Sequence, residues 1–339
     1  MRPDVVVVGG GFAARVHGVD ASQPLPANDV EWLVGLLHTH KVLVLSGQNI
    51  DGFTPTALER FSNHFGAPTP HPSRATRLPG CDAIQVLTNV EKQELSEEAK
   101  NEPAIPGMHS ASRVGRHVGQ QLPAGDFHSD GDYETEPPSV TLLLCLAAPT
   151  IGGRTTFVDM EQAANRLQGA DRSFAESLTI VREPNSPNGG WARSARNTAP
   201  LIRPHPYVPG RRALQLSHLE TEWIDVRICE GDDVDNALAN DALHKRVVHL
   251  RDKTLQDIMR PNSPAVYEHQ YSPGDLVLWC NYSVMHQAPA QDVVASIHDA
   301  QSRHMWRISA KGPPCLRLPR LDEDAWVTEH ITEQYRSRM

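Results

Sequence analysis

Apolar residues along this chain cluster in short blocks separated by turn formers, and long periodic stretches are few. Short blocks of this kind are the signature of many short strands. Residues 5–8 are four valines closed by Gly9, Gly10 and Gly11, and further strand-like runs recur at 42–45, 83–87, 140–146, 155–158, 214–216, 266–271 and 276–279. Helical spacing is confined to fewer places. Residues 28–37 predict a helix in which Asn28 caps the end, Glu31 takes the capping-box position and Trp32, Leu33, Leu36 and Leu37 form one stripe. A second helix starts at Thr54-Pro55, carries Leu58, Phe61 and Phe65 on one side and stops at Gly66. Two more are expected near 160–167 and 241–259. The pattern predicts a mainly β domain with flanking helices, built as an antiparallel sandwich or barrel. Residues 67–125 are polar and turn-rich and could form a lid, and the Pro-, Arg- and Asn-rich stretch 185–212 reads as a long surface loop, an insert or an active-site cover.

Composition narrows the function classes. With 339 residues, 39% of them hydrophobic, the chain can bury a sizeable core. A net charge of -9 argues against a nucleic-acid surface, because neutralising phosphates needs a concentrated basic face. Cys81, Cys145, Cys229, Cys280 and Cys315 are odd in number and never form a CxxC pair, which suits a reducing compartment and disfavours structural zinc. No apolar run is long enough to span a bilayer, and the apolar stretch after the first residues is short for a signal peptide, so a cytoplasmic protein without membrane partners is expected.

Two chemistries compete. The block from Val5 to Ala14 resembles the strand and glycine turn of a dinucleotide-binding domain, but that reading needs a helix straight after the turn. Arg15 to Asp20 offers β-branched residues and another glycine, with no amphipathic period. The second chemistry starts at His128-Ser129-Asp130. Residues two apart on an extended strand project to the same side, so imidazole and carboxylate could share one metal ion. In a chain with 17 histidines a lone His-x-Asp is close to a chance occurrence. His218-Leu219-Glu220 is a rival pair, and His298 and His304 rival His286 as the distant third ligand.

The downstream order changes the weight of the first pair. His128-x-Asp130, Pro137-Pro138, Gly152-Gly153-x-Thr155, Gly274-Asp275, Trp279-x-Asn281, His286 and Arg303-x-x-x-Arg307 follow one another in a pattern that resembles the taurine dioxygenase and dichlorophenoxyacetate dioxygenase family. The likeness runs from about Ala14 to Gly312 and takes in Gly18-Val19-Asp20, His40-Lys41-Val42 and Phe65-Gly66 through His71-Pro72. It implies a double-stranded β-helix (jelly-roll) core in a single domain over 1–318, with lid or insert segments near 89–126 and 185–212 and a tail at 319–339. It also makes Gly9 to Gly11 turn and bulge residues of a flanking sheet, which removes the dinucleotide reading.

The resemblance implies that His128, Asp130 and His286 ligate Fe(II), that Thr155 and Arg303 hold the 5-carboxylate of 2-oxoglutarate, and that Arg307 contacts the cosubstrate or an anionic substrate. His71 aligns with a residue that contacts substrate. The implied reaction uses 2-oxoglutarate and O2 to hydroxylate, desaturate or cleave a small, anionic organic molecule, releasing succinate and CO2. An aspartate at 130 favours oxygen transfer over halogenation, because the related halogenases vacate that position for chloride. Two departures stand out. Residues 292–299 lengthen the spacing from His286 to Arg303, and Ser217 stands where many members have asparagine. Trp279 and Asn281 read as packing and supporting residues. A dimer or tetramer is common in the family. The competing class is a non-catalytic barrel that binds a metal or a small acid.

Overall fold

A computed structural model describes residues 3–71, 74–91, 118, 120–122, 124–184, 196–220, 224–231 and 241–313. Its largest sheet runs in the order Asp4–Val8, Ala13–His17, Val42–Leu45, Leu276–Cys280, Val140–Ala147, His304–Lys311, Cys81–Thr88, Arg77–Leu78, and Ala67–Pro68 also pairs with His304–Lys311. Ala13–His17 and Val42–Leu45 are parallel, joined through the helix Ala27–His40; the other described pairs in this sheet are antiparallel. A second sheet has Thr155–Asp159 between Val266–His269 and Val284–Gln287.

Strand alternation decides what each face of the large sheet meets. Leu43, Leu45, Leu142, Leu144, Leu276, Leu278 and Ile308 point to one side, against Leu33, Leu37, Leu58, Phe61 and Phe65 of the helical layer. Their odd-even partners Val42, Val44, Leu143, Cys145, Val277, Trp279 and Met305 point to the other, where they pack on Phe157, Tyr271 and Val284. The domain is therefore mostly β, with helices on the outer face of one sheet and a second sheet on its inner face. A third layer, formed around Leu178–Pro184 and its neighbours Asn197–Pro200 and Ile224–Glu230, packs with the helices Met160–Arg166 and Asp241–Ile258.

The glycine turn is resolved as a hairpin. Asp4–Val8 pairs antiparallel with Ala13–His17, and no helix follows the glycines. Gly10 has φ 65°, and a Cβ there would lie 2.3 Å from Pro264 Cα, so the turn accepts only glycine. The helix from Thr54-Pro55 forms as expected: Thr54 Oγ1 accepts from the Ala57 N–H at 3.1 Å, and Gly66 at φ 134° ends the following turn.

Other expectations need correction. The first helix begins at Ala27 after Pro26, and Asn28 lies inside it without capping; its buried face is Val30, Leu33, Val34 and Leu37, while Trp32 and Leu36 are only half-buried. Within 185–212, the described part is not one long loop: Asn197–Pro200 and Ile202–Pro204 are strands, and Arg212–Leu214 pairs with the latter across a turn at 205–211. The strands Leu178–Pro184 and Ile224–Glu230 and the helix Gly169–Glu176 were not predicted from the sequence. Most of the 89–126 segment, residues 185–195 and the 319–339 tail lie outside the described residues. The four described cysteines are free thiols, and Cys315 is outside that set. Among the described residues, no helix is long and apolar enough to cross a membrane.

Candidate active site

His128 and His286 meet across the edge of the second sheet. The N–H of His128 donates to the carbonyl of His286 at 3.0 Å and the reverse bond is 2.8 Å, a directly opposed antiparallel pair whose side chains share a face. Their ring centroids are 4.4 Å apart. The expected strand through His128-x-Asp130 is not there: His128 makes only this isolated bridge, and Asp130 begins a turn completed by Gly131 at φ 59°. Side-chain bonds bring the carboxylate into line instead. Thr141 Oγ1 donates to Asp130 Oδ2 at 2.7 Å, Asn281 Oδ1 accepts from the Asp130 N–H at 3.3 Å, and Asn281 Nδ2 donates to Thr141 Oγ1 at 2.9 Å. Trp279 Nε1–H donates to the same Asn281 Oδ1 at 3.0 Å, which fixes which way that amide faces.

The result is a cluster in which His128 Nε2 and His286 Nε2 lie 3.6 and 3.8 Å from Asp130 Oδ1. Ligand atoms of the three residues fall within 4.8 Å of one another, the one His/Cys/Asp/Glu group among the described residues that could hold a metal ion. His128 Nδ1 is 2.8 Å from the Asp126 carbonyl, which can only accept, so a proton sits on Nδ1 and Nε2 faces the cluster. Burial works to lower the His128 pKa, but the contacts with Asp130 and the Asp126 carbonyl outweigh burial and raise it. Burial pushes the His286 imidazole down to about 3 despite the Asp130 carboxylate, so it is neutral at physiological pH. Phe157 and Trp279 hold its ring by packing, with centroids at 6.1 and 4.8 Å. Burial works to raise the Asp130 pKa, but the Arg307 guanidinium, 2.5 Å from Oδ1, together with His286 and His128 outweighs it and holds the carboxyl well below its usual range. Two imidazoles and one carboxylate form a donor set suited to a divalent transition metal.

The rival residues His218 and Glu220 line the same cavity but are engaged by other partners. Glu220 pairs with Arg251 at 2.5 Å. His218 lies beside His128, ring centroids 5.6 Å apart, but its Nδ1 is engaged by Asp132 at 2.5 Å. Asp132 is in turn bound to Arg182 at 3.2 Å and to the Ser217 hydroxyl, so the departure at Ser217 belongs to a buried charge network. His298 is exposed, and His304 points away from the cavity.

A cavity of about 610 Å³ opens beside the cluster and is lined by His71, Thr155, Arg303 and Arg307 as well as the three ligating residues. Arg303 and Arg307, an even number of residues apart, both face it. The longer loop before Arg303 does not displace it. Asn89, itself buried, donates through Nδ2 to the carbonyls of Asp292 and Gln301 at 2.8 and 2.9 Å and accepts the Arg303 N–H at 2.6 Å, tying both ends of the loop together. The Arg303 side chain is 5% exposed, has no carboxylate within ion-pair distance among the described residues, and leaves its Nε–H without a partner. Thr155 is 2% exposed and accepts the Tyr271 hydroxyl at 3.0 Å. Arg307 Nη1 also donates to Gln85 Oε1 at 2.8 Å, and His71 lies 3.4 Å from the Thr76 hydroxyl. Thr141, Asn89, Gln85 and Tyr271 were not singled out from the sequence. Thr141 carried a weak signal as the single hydroxyl in the apolar run 140–146; the others carried none.

Residues 5–309 match the family described as taurine catabolism dioxygenase TauD, TfdA family. The chain belongs to that family. Membership makes it an oxidoreductase of the 2-oxoglutarate-dependent dioxygenase class. Among its relatives, an alkylsulfatase of Acinetobacter baylyi is 23% identical over 296 residues, covering 82% of this chain and 77% of that protein. An alpha-ketoglutarate-dependent sulfonate dioxygenase of Saccharomyces cerevisiae is 25% identical over 231 residues, covering 66% of this chain and 51% of that protein, so the chain spans about half of the yeast relative. A crystal structure of a taurine dioxygenase from Burkholderia xenovorans superposes with a TM-score of 0.62 at 19% identity, over 96% of this chain and 98% of that one. At that identity the likeness is one of fold.

Proposed function

We propose that this TauD/TfdA family member is an Fe(II)- and 2-oxoglutarate-dependent oxygenase that hydroxylates a small anionic organic molecule and releases succinate and CO2. Desaturation, or cleavage after hydroxylation, would use the same residues. The observation that carries the reading is Arg303, a buried guanidinium with an orphaned Nε–H and no carboxylate partner among the described residues, opening into the same cavity as the His128, Asp130 and His286 cluster. A buried cation without a counter-charge is costly, and an anionic ligand relieves that cost.

In this reading His128, Asp130 and His286 hold the iron, and Arg303 and Thr155 hold the distal carboxylate of 2-oxoglutarate, the guanidinium by charge-assisted bonds and the hydroxyl by donation. Bound iron and cosubstrate supply the oxygen-activating redox chemistry, which no side chain can provide. The chain's own residues keep the His286 imidazole neutral, keep Asp130 ionised and bury Arg303. Arg307 and His71 would bind the anionic group of the substrate, and Arg307, tethered to Asp130 and Gln85, couples that group to the metal site. The relatives named for alkyl sulfates, sulfonates and 2,4-dichlorophenoxyacetate support a sulfur oxyanion or a carboxylate as that group. We read the two facing sheets as the halves of a double-stranded β-helix within one domain.

The test is spectroscopic. Anaerobic addition of Fe(II) and 2-oxoglutarate should give a weak visible charge-transfer band, and Asp130→Ala should abolish it. Intact protein that shows no band would refute the assignment.

A further inference from the structure

Tyr271 is buried in contact with two residues that line the cavity, Thr155 and Arg303. Its Oη is 3.0 Å from Thr155 Oγ1, and the Arg303 guanidinium carbon lies 5.6 Å from its ring centroid. The ring is held in place by the edge of His269 at 4.5 Å, and His269 is itself fixed by the Tyr267 hydroxyl at 3.0 Å and by Asp275 at 3.2 Å.

The donor inventory gives this chain of contacts a direction. A phenol has one proton, and Tyr271 donates it to Thr155 Oγ1. With its oxygen accepting from Tyr271, the threonine hydroxyl still has its own proton to give, and the described residues offer it no other partner. Burial pushes the Tyr271 phenol up to about 12, so it keeps the proton that the relay needs.

We propose that Tyr271 is a positioning residue of the cosubstrate site: packed against Arg303 and donating to Thr155, it sets the threonine hydroxyl as a donor, and so selects a ligand whose buried end is a pure hydrogen-bond acceptor, a carboxylate. This rests on the 2-oxoglutarate reading of the cavity. It adds that Thr155 and Tyr271 act as one unit and that their contribution is confined to the distal carboxylate. The 2-oxo acid end, which meets the metal, does not feel it.

Calorimetric titration of the full chain loaded with Mn(II) under argon tests this without turnover. The two probes are 2-oxoglutarate and 2-oxobutyrate, which share the 2-oxo acid group while only the first has a distal carboxylate. Tyr271→Phe should weaken 2-oxoglutarate binding by about tenfold, as expected for one hydrogen bond towards a charged group. Binding of 2-oxobutyrate, read directly or by competition, should be unchanged. The double variant Thr155→Val, Tyr271→Phe should bind 2-oxoglutarate within about twofold of Thr155→Val alone, because a unit broken once cannot be broken again. Thr155→Ser, which keeps the hydroxyl, should retain wild-type affinity. The relay is overturned by unchanged 2-oxoglutarate binding in Tyr271→Phe, by equal weakening of both probes, or by fully multiplicative losses in the double variant. Should Tyr271→Phe fail to fold, the serine and valine variants still decide whether the hydroxyl at 155 donates to the ligand: equal affinities for 2-oxoglutarate overturn the proposal. Wild-type protein that binds neither probe would overturn the underlying functional reading instead.

Discussion

The carboxylate at position 130 is held at one oxygen by Arg307 and at the other by a single hydroxyl. Thr141 lies in a strand whose other residues are apolar, and its Oγ1 is 2.7 Å from Asp130 Oδ2 while Asn281 secures it from the other side. Thr141→Val preserves shape and removes that donor, so divalent-metal affinity should fall roughly 10–100-fold, the usual cost of losing a bond that orients a metal ligand. A Mn(II) titration that finds equal affinity in the variant would show that Arg307 and the backbone position Asp130 without the Thr141 hydroxyl. At this scale the sequence showed the residues that carry charge and a motif, and hid the ones that orient them. His128, Asp130 and His286 were legible through their order with downstream partners. Arg303 was legible as a candidate, but its placement depends on Asn89, which lies 214 residues away in sequence and bonds to it directly. A lone asparagine at the end of a strand announces nothing of that kind.

Among the elements, the helix Pro55–Ser62 and the turn after it contain a pH-sensitive position. His64 is buried against Phe61, and its Nδ1 has no partner among the described residues. Burial lowers its pKa from 6.5 to about 4, and Arg60 adds to the shift. The folded state therefore disfavours the proton while the unfolded chain accepts it, so stability is intact above pH 6.5 and falls as pH drops from there towards 4. His205 is shifted the same way, also to about 4. The His64 contribution amounts to roughly 3 kcal/mol over that window. Urea unfolding at pH 7 and pH 4.5 should show a smaller loss in His64→Leu than in wild type; an identical pH slope would contradict the assignment. Elements with a clean signal, such as the Thr54-Pro55 start, were readable in advance. Asn28 misled because Pro26, with φ -58°, had already set the chain for helix entry one turn position earlier. The strands Asn197–Pro200 and Ile202–Pro204 were hidden because they end in proline, which is tolerated at strand ends and sheet edges but reads as loop in a single sequence.

For the molecule as a whole, the inner layer between the two sheets is both core and scaffold for the site. Phe157 belongs to that layer, is fully buried, and stacks on His286. Phe157→Ala should cost about 3–5 kcal/mol of stability and also weaken metal binding, whereas Leu37→Ala, in the outer helical layer, should cost about 2–5 kcal/mol and leave metal affinity unchanged. Equal effects on metal affinity would show that the two cores are not separable in this way. The division into mostly β architecture with helices on one face was readable from block lengths and alternation. Which sheet lay on which was not, because the pairing of Val140–Ala147 with His304–Lys311 is long-range and leaves no local trace.

The account is tested most directly by following 2-oxoglutarate itself. Purified full-length protein is given Fe(II), air, 2-oxoglutarate and a panel of sulfonates, alkyl sulfates and aryloxy acids, and succinate is quantified. We expect succinate that requires both Fe(II) and oxygen, rises with at least one anionic compound and disappears in Asp130→Ala. Protein that binds metal and 2-oxoglutarate but returns the 2-oxoglutarate unchanged across the panel would contradict the account and leave a binding protein in its place.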